Sequence, residues 1–253
     1  MRQYSIDARN IKNPIYPCPI QMGGKNANGQ MLSIGNYYLS LDGKPFFGIC
    51  GEAHFSRINR ELWEDEIIKM KAGGLNMIAT YIFWIHHEEI EGTFDFSGNK
   101  DLRLFLELCK KNHMYVILRI GPFSHGECRN GGFPDWIYGQ PFDIRCDDPS
   151  YLYYTRRFYE QIYQQAKGLL FKDNGPVIGV QLENEHEHAS CPWEMTTENS
   201  KEWVVSGHDG KNHMSTLKKI AKEVGFDVPL YTATAWGGAC AVSYTHLRAH
   251  ETL

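Results

Sequence analysis

No charge dominates this chain. Lys and Arg number 26 and Asp and Glu 30, a formal net charge of −4. A nucleic-acid binder would want a basic surface, and this balance supplies none. Long apolar runs are missing too: none approaches the ~20 residues that a membrane-spanning helix needs, and mean hydropathy is −0.43. The seven cysteines (Cys18, Cys50, Cys109, Cys128, Cys146, Cys191 and Cys240) contain no C-x-x-C pair, are odd in number and are irregularly spaced. That pattern excludes a zinc ribbon and a disulfide framework. Cys50 and Cys109 lie inside apolar runs and read as small core residues. Residues 1–19 show no basic-then-apolar leader. Reduced thiols, a cytoplasmic location, and neither nucleic acid nor membrane as partner are the resulting expectations.

What is present is ordinary for a globular chain: 42% hydrophobic and 22% charged residues. Aromatics are 13%, including 14 Tyr and 6 Trp. Such side chains fill cores and also stack on the apolar faces of sugars; composition does not separate the two uses. The length of 253 residues is that of one (β/α)₈ barrel, typically about 250.

The order of elements modifies that impression. Residues 31–41 followed by Asp42-Gly43 read as a short antiparallel strand and turn. Parallel-type strands are then expected over 46–50, 76–84, 115–120, 177–182 and 228–236, the third a run apolar but for Arg119, as if buried on both faces. Helices alternate with them: one capped by Asn59 and stopped by Gly73-Gly74, one capped by Asp101, one opened by Asp148-Pro149 and running to about 170, and one capped by Ser215. Alternation of this kind predicts an α/β parallel sheet. At about 45 residues per unit, eight strands would need roughly 390 residues. The expectation is a (β/α)₈ TIM barrel truncated to about its first five βα units. Residues 1–36 form an irregular lead-in and 37–238 the partial barrel. Residues 239–253 read as a non-native tail, since SYTHLRAHETL has no loop-then-helix logic; a short surface helix is the other reading.

Active sites in such barrels lie at the C-terminal ends of the strands. The residues there are Glu52 and His54; Tyr81, Trp84, His86, His87 and Glu88; His125, Glu127 and Arg129; Gln181 and the run 183–188; and Thr232, Thr234 and Trp236. Carboxylates and aromatics converging on one rim suit a glycosidase, which needs one acid for the leaving oxygen and a second carboxylate as nucleophile or base. A rival reading is a metal-dependent hydrolase using His186 and His188 with Glu187, His86, His87 and His125 nearby. A non-catalytic carbohydrate-binding relative is a third.

Residues 175–185 (GPVIGVQLENE) resemble the G-P-I-I-x-x-Q-x-E-N-E-Y motif of glycoside hydrolase family 35. Residues 51–63, 69–84, 116–123 and 131–136 resemble further segments of that family in the same order, so the resemblance covers about 37–238. It implies a retaining hydrolase of terminal β-D-galactosides, with no organic cofactor and no catalytic metal. Glu185 matches the general acid/base, and Asn184 the residue at the sugar 2-hydroxyl. Tyr81 matches the Tyr that contacts the galactosyl ring, and Glu127 the Glu that binds galactose hydroxyls. Glu183 reads as structural, holding an Arg or backbone. The family usually has Asn or Cys where His125 stands, Ala at Gly126, Pro at Phe83, and Tyr or Phe at His186; His125 is therefore taken as a substrate-binding position. The family's nucleophile, a Glu ending strand seven, matches nothing in this chain. Made as written, the chain is expected to be inactive and poorly soluble; soluble monomer that hydrolyses an aryl β-galactoside would overturn that expectation.

Overall fold

The computed structural model describes residues 14–16, 24–186 and 210–233. The tail from 239 lies outside them, as do Glu187, His188, Thr234 and Trp236. Two sheets make up the frame. Four short antiparallel strands, β1 (Gly24–Lys25), β2 (Met31–Ile34), β3 (Leu39–Leu41) and β4 (Lys44–Phe46), pair in sequence order. Five parallel strands follow: β5 (Cys50–Glu52), β6 (Met77–Tyr81), β7 (Tyr115–Gly121), β8 (Val177–Leu182) and β9 (Leu230–Tyr231). Helices α1 (Trp63–Ala72), α2 (Trp84–His87), α3 (Leu102–Lys111), α4 (Pro149–Ala166) and α5 (Gly210–Val224) lie between them in the chain. This is the alternating α/β order the sequence predicts.

Capping accounts for where the helices begin. The Asp101 carboxylate accepts from the Leu104 amide at 2.9 Å, and Asp148 accepts from the Ser150 amide at 2.8 Å with Pro149 behind it. Each occupies an amide left without an intrahelical partner. Asn59 caps a single 3₁₀ turn, Arg60–Leu62, that leads into α1. In β7, Val116, Leu118 and Ile120 are fully buried against the helices, while Tyr115, Ile117 and Arg119 are half-buried on the opposite face. One face of the sheet therefore builds the core with the helices. Trp84 stacks on Phe158 at 4.7 Å within it, and α1, α3, α4 and α5 pack in succession.

Several boundaries differ from expectation. The run 46–50 divides: Phe46 closes the antiparallel sheet and the parallel strand starts at Cys50. The strand expected over 31–41 is two strands, β2 and β3, paired Leu32 to Leu41. Strand β6 ends at Tyr81 because the chain turns into α2. Helix α4 stops at Ala166, where Gly168 takes a left-handed φ of 78°. Helix α5 begins at Gly210, so Ser215 lies within it rather than capping it. Strand β9 covers Leu230–Tyr231, and β7 is buried fully on one face only.

The antiparallel sheet sits beneath the N-terminal ends of the parallel strands. Leu32 packs with Met77, Phe171 and Ile178, with Leu41, Phe46, Tyr115 and Ile117 around them. The Ala27 amide donates to the Lys172 carbonyl and the Asn28 amide to the Asn174 side chain. Leu32→Ala should therefore lower the stability of the whole unit by about 2–5 kcal/mol, whereas Phe47→Ser, at an exposed position, should stay within about 0.5 kcal/mol. Urea unfolding followed by far-UV dichroism measures both; an unaffected Leu32→Ala protein would mean that the antiparallel sheet is not part of the cooperative fold.

Candidate active site

Parallel register sets one layer of side chains across the C-terminal half of the sheet. Tyr81 of β6 lies opposite Arg119 of β7, Arg119 opposite Gln181 of β8, and Gln181 opposite Tyr231 of β9. Above this layer opens a cavity of about 730 Å³, lined by Glu52, His54, Tyr81, Arg119, Phe123, His125, Gly126, Glu127, Cys128, Gly131, Asn184, Glu185 and Ala233. The five residues expected to act here, Tyr81, His125, Glu127, Asn184 and Glu185, all line it.

Asn184 is the hub. Its Oδ1 accepts from Tyr81 Oη, Arg119 Nη2 and Gln181 Nε2, each at 3.0 Å. Its Nδ2 lies 3.0 Å from His125 Nδ1, which in turn lies 3.3 Å from Glu185 Oε2. Arg119 also donates from Nε to Gln181 Oε1 at 3.0 Å, ion-pairs with Glu52, and places its guanidinium 3.6 Å from the centre of the Tyr81 ring. Tyr81 and Asn184 are buried; His125 and Glu185 each leave about a third of the side chain exposed. Burial pushes the Tyr81 phenol well above its ordinary range, so it remains a donor. Burial likewise lowers the His54 imidazole, with Glu52 opposing and Arg57 and Arg119 assisting.

The strand end that carries Glu183, Asn184 and Glu185 is held from behind. Glu183 is fully buried and receives two hydrogen bonds from Arg145, at 3.0 and 2.7 Å. Arg145 also donates to the Asn184 carbonyl at 3.0 Å and lies 3.8 Å over the Phe123 ring. Burial alone would raise the Glu183 carboxyl; the Arg145 charge, with His186 and the hydrogen bonds from Arg145 and the Asn184 amide, outweighs it and holds the group below the ordinary range. Removing one member of such a pair costs about 3–5 kcal/mol, because the other charge stays buried. Glu183 thus has the structural part expected of it. It and Glu185 take left-handed φ values of 54° and 48°, as do His125, Gly126 and Glu127 at 57°, 56° and 47°. Left-handed backbone at non-glycine residues stores about 1–3 kcal/mol each and gathers at functional sites.

Other candidates fall outside the cavity. Trp84 is buried, with Nε1 donating to Glu88 at 2.7 Å, and Trp136 Nε1 donates to the Glu88 carbonyl; both pack rather than face a ligand. Arg129 pairs with Asp135 at 2.8 Å and not with Glu127, which lines the cavity. His86 bonds Ser56, His87 is buried against Phe96, and His186 bonds the Arg145 carbonyl at 2.7 Å. Among the described residues no three His, Cys, Asp or Glu converge as a metal would require, and His188 and Glu187 lie outside those residues. Cys109 is buried as expected, Cys50 is exposed rather than part of the core, and both, with Cys128, are free thiols. Arg119 and Arg145 were not singled out from sequence. Arg119 did carry a signal, as a charge inside an apolar strand; Arg145 carried none, since its partner is 38 residues away.

Fold and site together define part of an α/β barrel frame with a polar layer at the C-terminal rim of its parallel strands. The profile of the glycosyl hydrolases family 35 matches residues 38–239, and the chain belongs to that family. A beta-galactosidase from Xanthomonas manihotis is 37% identical over 169 residues, covering 66% of this chain and 28% of the relative. The beta-galactosidase of Homo sapiens is 39% identical over 167 residues, covering 65% and 25%. The chain therefore spans about a quarter of the length of these relatives. A GH5_18 protein from Streptomyces cattleya, solved with GlcNAc, superposes with a TM-score of 0.56 at 10% identity, covering 74% of this chain and 44% of that one. That likeness concerns the fold alone.

Two positions read from the sequence as departures from the family, Phe83 and Gly126, meet in the structure. A Cβ at Gly126 would lie 2.7 Å from Phe83 Cε1. The aromatic ring at 83 thus occupies the space that an alanine methyl at 126 would need, and glycine resolves the conflict.

Acid should destabilise this fold with a definite sign. Burial pushes His87 and His186 from 6.5 down to about 4. As pH falls through 6.5 the unfolded chain takes up protons that the folded chain refuses until about 4, so stability is lost across that window. The Glu183 contribution is present above the ordinary carboxylate value and is lost at still lower pH, as pH falls through its depressed folded value. Urea titrations across the window should show the loss, and His186→Phe should shrink it; an unchanged slope would overturn the assignment.

Proposed function

We propose that this segment carries the acid/base side of a retaining glycoside hydrolase acting on terminal β-D-galactosides. The observation that carries the reading is the Asn184–Glu185 pair. It ends β8 beside a cavity that Tyr81, His125 and Glu127 also line. Glu185 gives its proton to the glycosidic oxygen as the bond to the aglycone breaks, and later takes one from the water that attacks the glycosyl intermediate. Asn184 meets the sugar as a donor. Its Oδ1 already accepts three hydrogen bonds, and only one of the two Nδ2 hydrogens is directed at His125. The remaining hydrogen suits the 2-hydroxyl, whose hydrogen bond strengthens as the oxocarbenium forms. Tyr81 and Glu127 contact the galactosyl ring and its hydroxyls. Glu52 is neutralised by Arg119, and no carboxylate of this sequence is given the nucleophile's part. Binding without turnover is the behaviour expected of this chain, and turnover that of a longer protein carrying the segment. Neither a cofactor nor a metal enters the scheme.

Titrating the chain with galactose and with a non-hydrolysable β-galactoside, followed by NMR, tests the reading. Saturable binding is expected, about tenfold weaker in Asn184→Ala, a change worth about 1.4 kcal/mol, and little changed in Glu185→Gln. In a longer active protein, Glu185→Gln should lower turnover of poor leaving groups by about 10²–10⁴-fold. Absence of saturation by galactose, or full activity in Glu185→Gln, would overturn it.

A further inference from the structure

The hydrogen bonds at the cavity floor have a fixed direction. Arginine can only donate. Arg119 Nε therefore requires the atom of Gln181 beside it to be Oε1, which turns Gln181 Nε2 toward Asn184 and toward the Glu183 carbonyl at 2.8 Å. Arg119 Nη2 likewise requires the nearest atom of Asn184 to be Oδ1. Tyr81, its phenol kept protonated by burial, donates to the same oxygen. Three donors thus settle which way the Asn184 amide faces, and Nδ2 is left against His125 Nδ1 at 3.0 Å. An amide nitrogen carries only hydrogens. The ring nitrogen opposite it must present its lone pair, which makes His125 the neutral tautomer with hydrogen on Nε2.

Glu185 Oε2 approaches that same Nδ1 at 3.3 Å. An ionised carboxylate there would set an oxygen lone pair against a nitrogen lone pair. A protonated one sets an O–H against it, sharing the acceptor with the amide. We propose that His125 is a positioning residue for Glu185, an imidazole locked by Asn184 as a hydrogen-bond acceptor, against which Glu185 is held through its own proton. The inference rests on the reading of Glu185 as acid/base. When Glu185 passes its proton to the leaving oxygen, the O–H···N bond breaks with it. The carboxylate is then released toward the cavity, where it can take a proton from water. The titratable groups that line the cavity with this pair are Glu52, His54, Tyr81, Arg119, Glu127 and Cys128; of these Arg119 is engaged by Glu52, Gln181 and Asn184.

The ring tautomer is read by NMR of the chain with ¹⁵N-labelled histidine, with His125 assigned by its loss in His125→Leu. At neutral pH the His125 hydrogen is expected on Nε2, with Nδ1 bare. Asn184→Asp exchanges the donor for an acceptor and should move the hydrogen to Nδ1. Glu185→Gln, whose amide can donate as the protonated acid does, should leave it on Nε2. The Glu185 Cδ signal, assigned by its loss in Glu185→Gln, should shift in His125→Leu. A wild-type hydrogen on Nδ1, an imidazolium, a tautomer that follows Glu185→Gln instead of Asn184→Asp, or an unmoved Glu185 signal would each overturn the proposal. If Asn184→Asp fails to fold, the wild-type and Glu185→Gln spectra still decide. None of these readouts uses turnover, so the acid/base assignment of Glu185 stands or falls separately, on kinetics.

Discussion

One guanidinium organises the cavity floor. Arg119 projects from the middle strand of the described parallel sheet, at the level where Tyr81, Gln181 and Tyr231 also sit. It is held by Glu52 on one side, lies over the Tyr81 ring, and donates to both neighbouring amides. Because it has five donors and no acceptor, every group it touches must turn an oxygen or a π face toward it. That single restriction passes through Gln181 and Asn184 to His125, and so reaches a residue that Arg119 does not itself bond. Replacing it with lysine would keep the charge and lose the planar fork that holds two amides at once.

A second arginine works behind the strand. Arg145 and Glu183 form a fully buried pair that fixes the backbone on which Asn184 and Glu185 stand. Such pairs are weak sources of stability but set one arrangement over others. Here the arrangement is a left-handed backbone at both Glu183 and Glu185, which the chain would not adopt without outside support. Amide contacts to the Gly121 and Ala233 carbonyls, at 2.6 and 3.2 Å, provide the rest. Asn184 and Glu185 thus stand on a strand end held from behind, and the loop with His125 and Glu127 lines the same cavity.

Three of the positions read as departures from the family, Phe83, His125 and Gly126, lie together at the loop that carries His125, whereas His186 lies elsewhere against the Arg145 carbonyl. Phe83 and Gly126 exchange volume, and His125 places an acceptor next to Glu185. Of the floor residues that match the family motif, Asn184 is hydrogen-bonded to His125 and Glu185 lies 3.3 Å from the same ring, while Gln181 bonds Arg119, Asn184 and the Glu183 carbonyl.

Periodicity and capping residues carried the α/β order in the sequence itself. Hydrophobic spacing, Asp101, Asp148-Pro149 and Gly73-Gly74 are local features, and local sterics and hydrogen bonding suffice to place α1, α3, α4 and strands β6 to β8 to within a few residues. The run 175–185 likewise placed Asn184 and Glu185 at a strand end, because a strand, its turn and its motif are contiguous. Tertiary structure alone decided the rest. Phe46 pairs with Leu39 in the antiparallel sheet and meets Tyr115 edge-on at 5.4 Å, a contact that spans 69 residues of chain. Arg145 became the partner of Glu183, and Arg119 the one that orients Asn184, through contacts that span 38 and 65 residues of chain. The protonated nitrogen of His125 follows from those contacts and not from its being a histidine, since both tautomers are open to an imidazole until a fixed donor is placed against one of its nitrogens.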